Sequence, residues 1–246
     1  MLELQAVSKR YGHVVAVAPL DLKLDAERTY VLIGPSGCGK TTILKLMLGL
    51  IKSDSGEVFI GDQPLSEANV LQLRQRVGYV IQDGGLFPHL TARQNASLVA
   101  RHLGWRDDRI SQRLQDLAEL THFPQDALCR YPIQLSGGQC QRVSLIRALM
   151  LDPDVLMLDE PLGSLDPIIR SELQDDLRDV FWSLKKTVVM VTHDLSEAAF
   201  FADEVVLLHE GRIVQRGSAR DLFDSPTEPF VTRFVNAQRT TLPGGA

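Results

Sequence analysis

Short apolar runs alternate with segments of helical pattern along most of the chain. Three runs, "TYVLIG", "DVLMLDEP" and "TVVMVTHD", are apolar almost throughout and end in glycine or polar residues. Such runs are typical of central parallel strands, which are buried on both faces and present chemistry at their carboxyl ends. "GEVFIGDQ" and "RVGYVIQ" predict further strands, and "TILKLMLGL" predicts a helix that closes near Gly49. The pattern predicts an α/β protein.

Two segments depart from this alternation. The N-terminal stretch "LELQAVSKRYGHVVAVAPLDLKLD" alternates apolar and polar residues, as half-buried antiparallel strands do. Between Gly84 and Met150 strand signals vanish, and sequences such as "DDRISQRLQDLAEL" are charged and helical. We therefore expect an antiparallel β subdomain at the N-terminus and a helical lobe inserted in the sheet domain.

The domain boundaries follow from these patterns. A chain of 246 residues with 44% hydrophobic content can bury the core of one large domain. We expect that domain over residues 1–240, followed by a disordered tail, 241–246. Within it, 1–83 and 151–240 form the β subdomain and the sheet core, and 84–150 form the helical subdomain.

Composition excludes several classes of function. The 26 basic and 31 acidic residues leave a net charge of −5, so no positive field attracts nucleic acid. The three cysteines lack metal-ligand spacing and predict neither a disulfide framework nor a zinc site. No run approaches the roughly 20 apolar residues of a membrane span, and no signal-peptide core is present at the N-terminus. We expect a cytoplasmic chain that reaches a membrane only through a partner.

A phosphate-binding loop follows the first apolar run. "GPSGCGKTT" satisfies G-x-x-x-x-G-K-[ST] between a predicted strand and a predicted helix. The glycines let backbone N–H groups converge on phosphates, Lys40 supplies a cation to the β and γ groups, and the Thr41 hydroxyl can bind Mg²⁺. An ordinary glycine turn is the alternative. The predicted nucleotide-binding residues are Gly34, Pro35, Ser36, Gly37, Cys38, Gly39, Lys40, Thr41 and Thr42.

A cysteine lies inside this loop. Cys38 is close to a helix N-terminus and to Lys40. Such surroundings lower a thiol's pKa, so we expect thiolate character and loss of ATP hydrolysis on alkylation. The alternative is that Cys38 only fills a small space.

Acidic residues and a histidine follow the later apolar runs. Asp159 stands at the end of "DVLMLD", where it can hold Mg²⁺, and Glu160 beside it can act as the base toward an attacking water. The alternative is a strand that ends in two solvated acids. His193 follows the next predicted strand, and we interpret it as a γ-phosphate contact rather than a structural histidine.

A second glycine turn, "LSGGQCQRV", lies in the helical lobe. A Ser-Gly-Gly turn that runs into a helix can hold an anion on the N–H groups of the helix start. This turn carries no lysine. The chain therefore has two candidate phosphate-binding turns, and only the first of them contains a lysine.

The ordered set of Tyr11, "GPSGCGKT", Gln82, "LSGGQ", "LMLDEP", "SLD" and His193 resembles the ATPase subunit of an ABC transporter. The resemblance covers nearly the whole chain. It implies a P-loop NTPase (RecA-like) fold, with ATP and Mg²⁺ as ligands. It also implies a head-to-tail dimer of this chain with a second copy or a homologous subunit.

The resemblance assigns further roles in ATP binding. It implies that Tyr11 stacks on adenine and that Gln82 binds Mg²⁺ and senses the attacking water. For Tyr11 an ordinary β-sheet aromatic, and for Gln82 a plain strand-end glutamine, remain the alternatives. It implies that Asp166 crosses the dimer and that one subunit's signature turn completes its partner's ATP site, which explains the second cradle. The turn residues are Ser136, Gly137, Gly138 and Gln139.

An apolar cluster follows Gln82. Leu86, Phe87 and Pro88 lie in the glycine- and proline-rich "DGGLFPHLT". An apolar cluster is costly to leave in water and useful for docking a partner. The resemblance favours docking to a membrane permease subunit at the inner face of the cell membrane, and the alternative is that these side chains fold back onto the lobe.

Finer resemblance indicates subunits that energise import of quaternary-amine osmoprotectants such as glycine betaine, choline or carnitine, with a substrate-binding protein as an indirect partner. Three departures from that group are Ile133, Cys140 and "PLGSLD". Since the sequence ends at Ala246 without paired regulatory modules, we expect no sensing of ionic strength by this subunit. Alternatives are an ATPase of another importer or an exporter, or a soluble nucleotide switch.

Overall fold

The computed structural model describes residues 1–163 and 165–239, and the expected disordered tail lies outside them. The chain forms two compact units. The first unit comprises Met1–Leu73 and the described part of Val189–Ala246, and the second comprises Arg74–Val188.

Strands and helices are numbered in chain order over the described residues. They are β1 (Leu2–Tyr11), β2 (Val14–Leu24), β3 (Thr29–Ile33), α1 (Lys40–Met47), β4 (Ser55–Ile60), β5 (Gln63–Pro64), α2 (Val70–Arg74), β6 (Val77–Val80), α3 (Ala92–His102), α4 (Asp107–Leu120), α5 (Gly137–Leu149), β7 (Val155–Asp159), α6 (Pro167–Leu184), β8 (Thr187–Thr192), α7 (Leu195–Phe201), β9 (Glu204–His209), β10 (Arg212–Gly217), α8 (Ala219–Asp224) and α9 (Pro229–Arg239).

The first unit contains the antiparallel sheet expected at the N-terminus. Its strand order is β2-β1-β4-β5. Residues Leu2 and Leu4 of β1 pair with Leu24 and Leu22 of β2, and all four are buried. The period-two pattern of the sequence is therefore a half-buried sheet, as predicted.

The first unit also carries the strand that precedes the phosphate loop. The order there is β10-β9-β3, followed by the part of β8 from Val189 onward, with β3 parallel to β9 and β10 antiparallel to β9. Every residue of β3 and β8 is buried, which explains why their sequences are apolar without alternation. The strands β3 and β8 are neighbours, and they are followed by the phosphate loop and by His193.

The second unit combines the parallel pair β6 and β7 with helices. Helix α3 packs on α4 and α5, and α5 also packs on β6 and α6. Thr91 starts α3 through a capping box with Gln94, and Asp107 and Asp108 favour the first turn of α4. Between Ile81 and Met150 the described elements are all helical, as the sequence predicts. The boundaries 84–150 of a separate helical subdomain stay a prediction.

Candidate nucleotide-binding site

The phosphate loop is held by close backbone contacts at two glycines. A Cβ atom on Gly34 would lie 2.2 Å from the Leu208 carbonyl oxygen, and one on Gly39 would lie 2.4 Å from the Ala16 carbonyl oxygen. Both positions also have positive φ angles, 152° and 108°. Side chains are therefore excluded at both ends of the loop, and Ser36 and Gly37 are left exposed between them.

Lys40 lies at the start of α1 and is only 6% exposed. Its ammonium group donates to the carbonyl oxygens of Gly34 and Pro35 at 2.7 and 3.0 Å. The backbone of the loop thus surrounds the Lys40 ammonium group. Thr41 and Thr42, half-buried in the first turn of α1, complete the loop.

The expectation that Cys38 is an activated thiolate is wrong. The thiol is buried, and burial raises its pKa above the ordinary value of 9.0. The Lys40 ammonium, with Nζ 3.8 Å from Sγ, acts in the opposite direction but is outweighed by desolvation. The proximity to a cation and a helix start was read correctly from the sequence, but the burial was not.

Two acidic residues end β7. Asp159 is buried, and the Tyr79 hydroxyl of β6 donates to its Oδ2 at 3.4 Å. Burial, then the negative charge of Asp159, raises the pKa of Tyr79, which therefore stays protonated as a donor. Glu160 is partly exposed and adopts a positive φ of 47°. A non-glycine residue in this region is strained, and strain of this kind concentrates at functional sites.

His193 follows β8 directly, and its side chain is exposed. Asp194 caps the next helix, α7, by accepting from the N–H groups of Ser196 and Glu197. The position of His193, after a fully buried strand and before a capped helix, agrees with a residue that presents its imidazole to a ligand.

Tyr11 ends β1 with half of its surface exposed, opposite Val14 in the hairpin. The Lys9 ammonium lies 5.8 Å from its ring centroid. The ring is thus an exposed aromatic face rather than a core residue of the sheet, which suits stacking on a base.

Gln82 is exposed in a turn after β6, and α5 holds the backbone that follows it. The Arg147 guanidinium donates to the carbonyl oxygens of Gly84 and Gly85, each at 2.8 Å, and the Ser144 hydroxyl donates to Gly84 at 2.7 Å. The turn after Gln82 is therefore hydrogen-bonded to α5, the helix that starts at the signature turn.

The signature turn is a preformed helix start. Ser136 caps α5: its hydroxyl accepts from the Gln139 N–H, and the Gln139 side chain accepts from the Ser136 N–H. Gly137 and Gly138 lie in the first turn, where N–H groups have no carbonyl partner within the helix. A Cβ atom on Gly138 would lie 2.7 Å from the Ile169 side chain.

Asp166 has a role that the sequence analysis missed. Its carboxylate accepts from the N–H groups of Ile168 and Ile169, both at 3.1 Å, and so caps α6, which has Pro167 at its first position. Asp166 remains exposed, so its predicted place in a dimer interface stays a prediction.

The two units carry different parts of the predicted site. Tyr11, the phosphate loop and His193 belong to the first unit, and Gln82, the acidic pair, the signature turn and Asp166 belong to the second. Sequence reasoning missed Tyr79 and Arg147. Both lie far along the chain from the residues that they contact, so no local pattern could have revealed them.

The residue types assigned to Mg²⁺ suit that ion. Magnesium prefers oxygen ligands and is usually held by one or two carboxylates with substrate phosphates. The buried carboxylate of Asp159, the Thr41 hydroxyl and the Gln82 amide fit this preference. Among the described residues there is no group of three or more His, Cys, Asp or Glu that could hold a metal by itself, and no helix is long and apolar enough to cross a membrane.

A lysine-bearing phosphate loop on an α/β sheet defines a nucleotide-binding protein, and comparison with known proteins gives its family. The ABC transporter family model matches residues 17–163. The dimeric structure of a bacterial ABC transporter cassette, MJ0796, superposes with a TM-score of 0.81 at 29% identity and covers 89% of this chain and 99% of that one. The chain belongs to the ABC transporter family, and the predicted fold is confirmed.

Two relatives indicate a more specific group within this family. The glycine betaine/carnitine/choline transport ATP-binding protein OpuCA of Bacillus subtilis (strain 168) is 43% identical over 240 residues, which are 97% of this chain and 63% of that protein. The glycine betaine uptake system ATP-binding protein YehX of Escherichia coli (strain K12) is 42% identical over 234 residues, 95% of this chain and 76% of that protein. The predicted resemblance to osmoprotectant transport ATP-binding proteins is confirmed, and the chain spans less than two thirds of the length of OpuCA.

We expect iodoacetamide to alkylate Cys38 more slowly than the exposed Cys129 near neutral pH. Because burial raises the pKa of the Cys38 thiol, its thiolate forms only at higher pH, and its alkylation rate should still rise above pH 9.0. Timed labelling and mass spectrometry of both peptides measure this in one sample. Faster labelling of Cys38 than of Cys129 near neutral pH would contradict the burial argument.

Proposed function

We propose that this chain is the ATP-hydrolysing subunit of an ABC importer, which it powers through ATP-driven closure of a head-to-tail dimer. The observation that carries the proposal is the phosphate loop, in which Lys40 is held inside a backbone cradle whose outer residues, Ser36 and Gly37, are exposed. Loop N–H groups and one fixed cation suit the β- and γ-phosphates of ATP. The exposed ring of Tyr11 supplies a stacking face for adenine.

The chemistry is hydrolysis of the γ-phosphate by water. Glu160 takes a proton from the attacking water, and His193 contacts the γ-phosphate. Thr41, Asp159 and Gln82 would hold Mg²⁺, which when bound neutralises charge that develops on the phosphates. Tyr79 donates to Asp159 and so keeps one carboxylate oxygen oriented.

Dimer closure uses the second cradle. Ser136, Gly137, Gly138 and Gln139 of one copy contact the γ-phosphate held by the other copy's loop, and Asp166 crosses the dimer from its place at the start of α6. ATP contacts both surfaces and stabilises the closed dimer by mass action, and hydrolysis removes that link. The dimeric state described for the cassette MJ0796 supports this part of the proposal.

A permease subunit at the inner face of the cell membrane docks near Leu86, Phe87 and Pro88. Phe87 is 44% exposed, which argues against the alternative that its ring folds back onto the helical lobe. The buried Asn95 side chain accepts from the Phe87 N–H and donates to its carbonyl oxygen and to that of Leu90. The segment is thus held in shape while Phe87 and Pro88 are exposed and Leu86 is half-buried.

The transported substrates are quaternary-amine osmoprotectants, delivered to the permease by a substrate-binding protein. The transport of glycine betaine, carnitine and choline by the OpuCA system and the uptake of glycine betaine by the YehX system support this assignment. The substrate does not touch this chain, so no residue of the ATP site identifies it.

Glu160→Gln should slow ATP hydrolysis by about 10² to 10⁴, because it removes a general base but no phosphate contact. ATP binding should be unchanged, and ATP·Mg²⁺ should hold the variant as a dimer. Phosphate release and size-exclusion chromatography measure the two effects, with Glu172→Gln on the exposed face of α6 as the control. A loss below about tenfold would reject Glu160 as the base.

Mixed dimers of Lys40→Ala and Gly137→Asp test the shared site. Each variant alone breaks both sites, since one loses the loop cation and the other places a carboxylate where the γ-phosphate approaches. If the sites are shared, a mixed dimer collects both defects in one site and leaves the other intact. ATP occlusion should then reappear in purified mixed dimers.

Occlusion is the better measurement here because cooperativity between the sites can hide recovered hydrolysis. Gly137→Ala is the matched control, since among the described residues its Cβ atom meets the Leu165 side chain alone, at 3.2 Å, and it adds no charge. No occlusion in a verified one-to-one dimer of folded variants would mean that each chain completes its own site.

Reconstitution tests the transport role. Proteoliposomes that hold this chain with an osmoprotectant permease and its binding protein should take up labelled glycine betaine, choline or carnitine in an ATP-dependent manner. Lys40→Ala should abolish uptake. ATP-driven uptake of a different solute would reject the substrate class alone, and ATP hydrolysis that no permease affects would favour a soluble nucleotide switch.

A further inference from the structure

A buried glutamate lies behind the turn that carries His193. The Thr192 hydroxyl accepts from the Asp194 N–H at 3.1 Å and donates to the Glu197 carboxylate at 2.5 Å. Thr192 and Glu197 are only 2% and 4% exposed. The residues before and after His193 are thus joined through one hydroxyl, although the imidazole itself is exposed.

The direction of these hydrogen bonds follows from the backbone N–H group of Asp194. A hydroxyl has one proton to donate, and a backbone N–H group can only donate, so the Thr192 oxygen accepts from Asp194. The Thr192 proton therefore points at Glu197, and a lone pair is left for the Asp194 N–H. Burying a carboxyl group costs free energy. Glu197 is therefore expected to have a role beyond filling space in the core.

A second contact reaches the same turn from the end of the described chain. The Gln238 amide of α9 donates to the His193 carbonyl oxygen at 3.1 Å. Helix α9 is itself fixed, since Val231 and Val235 are buried and the Phe230 ring stacks on His209 at a centroid distance of 3.6 Å. The turn at His193 is therefore held at the Asp194 N–H by the Thr192 hydroxyl and at the His193 carbonyl oxygen by Gln238.

We infer that Glu197, through Thr192, is a positioning residue for His193, and that Gln238 is a second one. Glu197 orients the Thr192 hydroxyl, which fixes the turn, and the turn aims the imidazole at the γ-phosphate without rearrangement during reaction. Such support behind a reacting group decides whether it is held in productive geometry. The inference rests on the proposed contact of His193 with ATP.

Hydrogen exchange on the protein without nucleotide tests the turn itself. Thr192→Val has a similar shape but loses both hydrogen bonds, whereas Thr192→Ser keeps them. The Asp194 amide should exchange about fivefold faster in Thr192→Val and at the normal rate in Thr192→Ser. Equal exchange in all three proteins would overturn the inference. Glu197→Met, which keeps the approximate length of the side chain but offers no oxygen acceptor to the Thr192 hydroxyl, replaces Thr192→Val if that variant does not fold, and it should also speed exchange at Asp194.

A double-mutant cycle tests action through His193. In the otherwise native chain, Thr192→Val should lower kcat about tenfold and change the KM for ATP by less than about twofold, whereas Thr192→Ser should preserve kcat. In a His193→Ala background Thr192→Val should cause no further loss, because the side chain that it positions is gone. Gln238→Leu should behave in the same way with a smaller effect. Ser196→Ala is the control, since it keeps the backbone N–H that donates to the Asp194 cap of α7.

The outcomes separate this inference from the proposed function. An equal loss in both backgrounds would overturn positioning of His193 while ATP hydrolysis stands. An unchanged rate in His193→Ala alone would overturn the role of His193 and this inference with it. Absence of hydrolysis by the native chain would instead count against the proposed function, and hydrogen exchange would still decide whether Glu197 and Thr192 hold the turn.

Discussion

Close backbone contact at the two ends of the phosphate loop constrains the rest of the site. Where Gly34 and Gly39 lie, carbonyl oxygens of Leu208 and Ala16 occupy the space that a side chain would need. Glycine at both positions therefore lets the loop between β3 and α1 pass close to these two carbonyl groups. In this arrangement Lys40 is buried inside the loop and Ser36 is exposed on its outer side. The loop backbone therefore lies between the lysine and the surface that a ligand would contact, and packing within the first unit sets this arrangement.

A buried cation needs partners, and the loop supplies them from its own backbone. The Lys40 ammonium donates to the carbonyl oxygens of Gly34 and Pro35, which offset part of the cost of removing its charge from water. Carbonyl dipoles are weaker partners than phosphate oxygens. When a nucleotide enters this loop, binding is favoured by the stronger interaction of the Lys40 ammonium with phosphate oxygens than with carbonyl oxygens. The position of the lysine is already set.

The sequence predicted those features whose causes are local. Fully apolar runs identified the buried strands β3, β7 and β8, and the spacing of glycines with Lys40 identified the loop, because each depends on a few consecutive residues. The pKa of Cys38 was predicted in the wrong direction because it depends on burial, which the tertiary structure decides. Tyr79 and Asp159 lie on two different strands and far apart in the sequence, so no local pattern predicts their contact. The cap at Asp166 has a local signal in the proline that follows it, whereas a place in a dimer interface has no such local signal.

Both candidate anion sites use backbone N–H groups, but they differ in what holds them in place. The loop before α1 is held by contacts with other strands, whereas the turn before α5 is held by the reciprocal hydrogen bonds of Ser136 and Gln139. Those bonds use the N–H groups of Ser136 and Gln139 and leave the first-turn N–H groups of Gly137 and Gly138 for a ligand. The Ser136 hydroxyl has a proton left to donate, because its oxygen only accepts from Gln139. The signature turn is therefore shaped before any nucleotide arrives, and in the proposed head-to-tail dimer the second copy would supply the phosphate rather than the geometry.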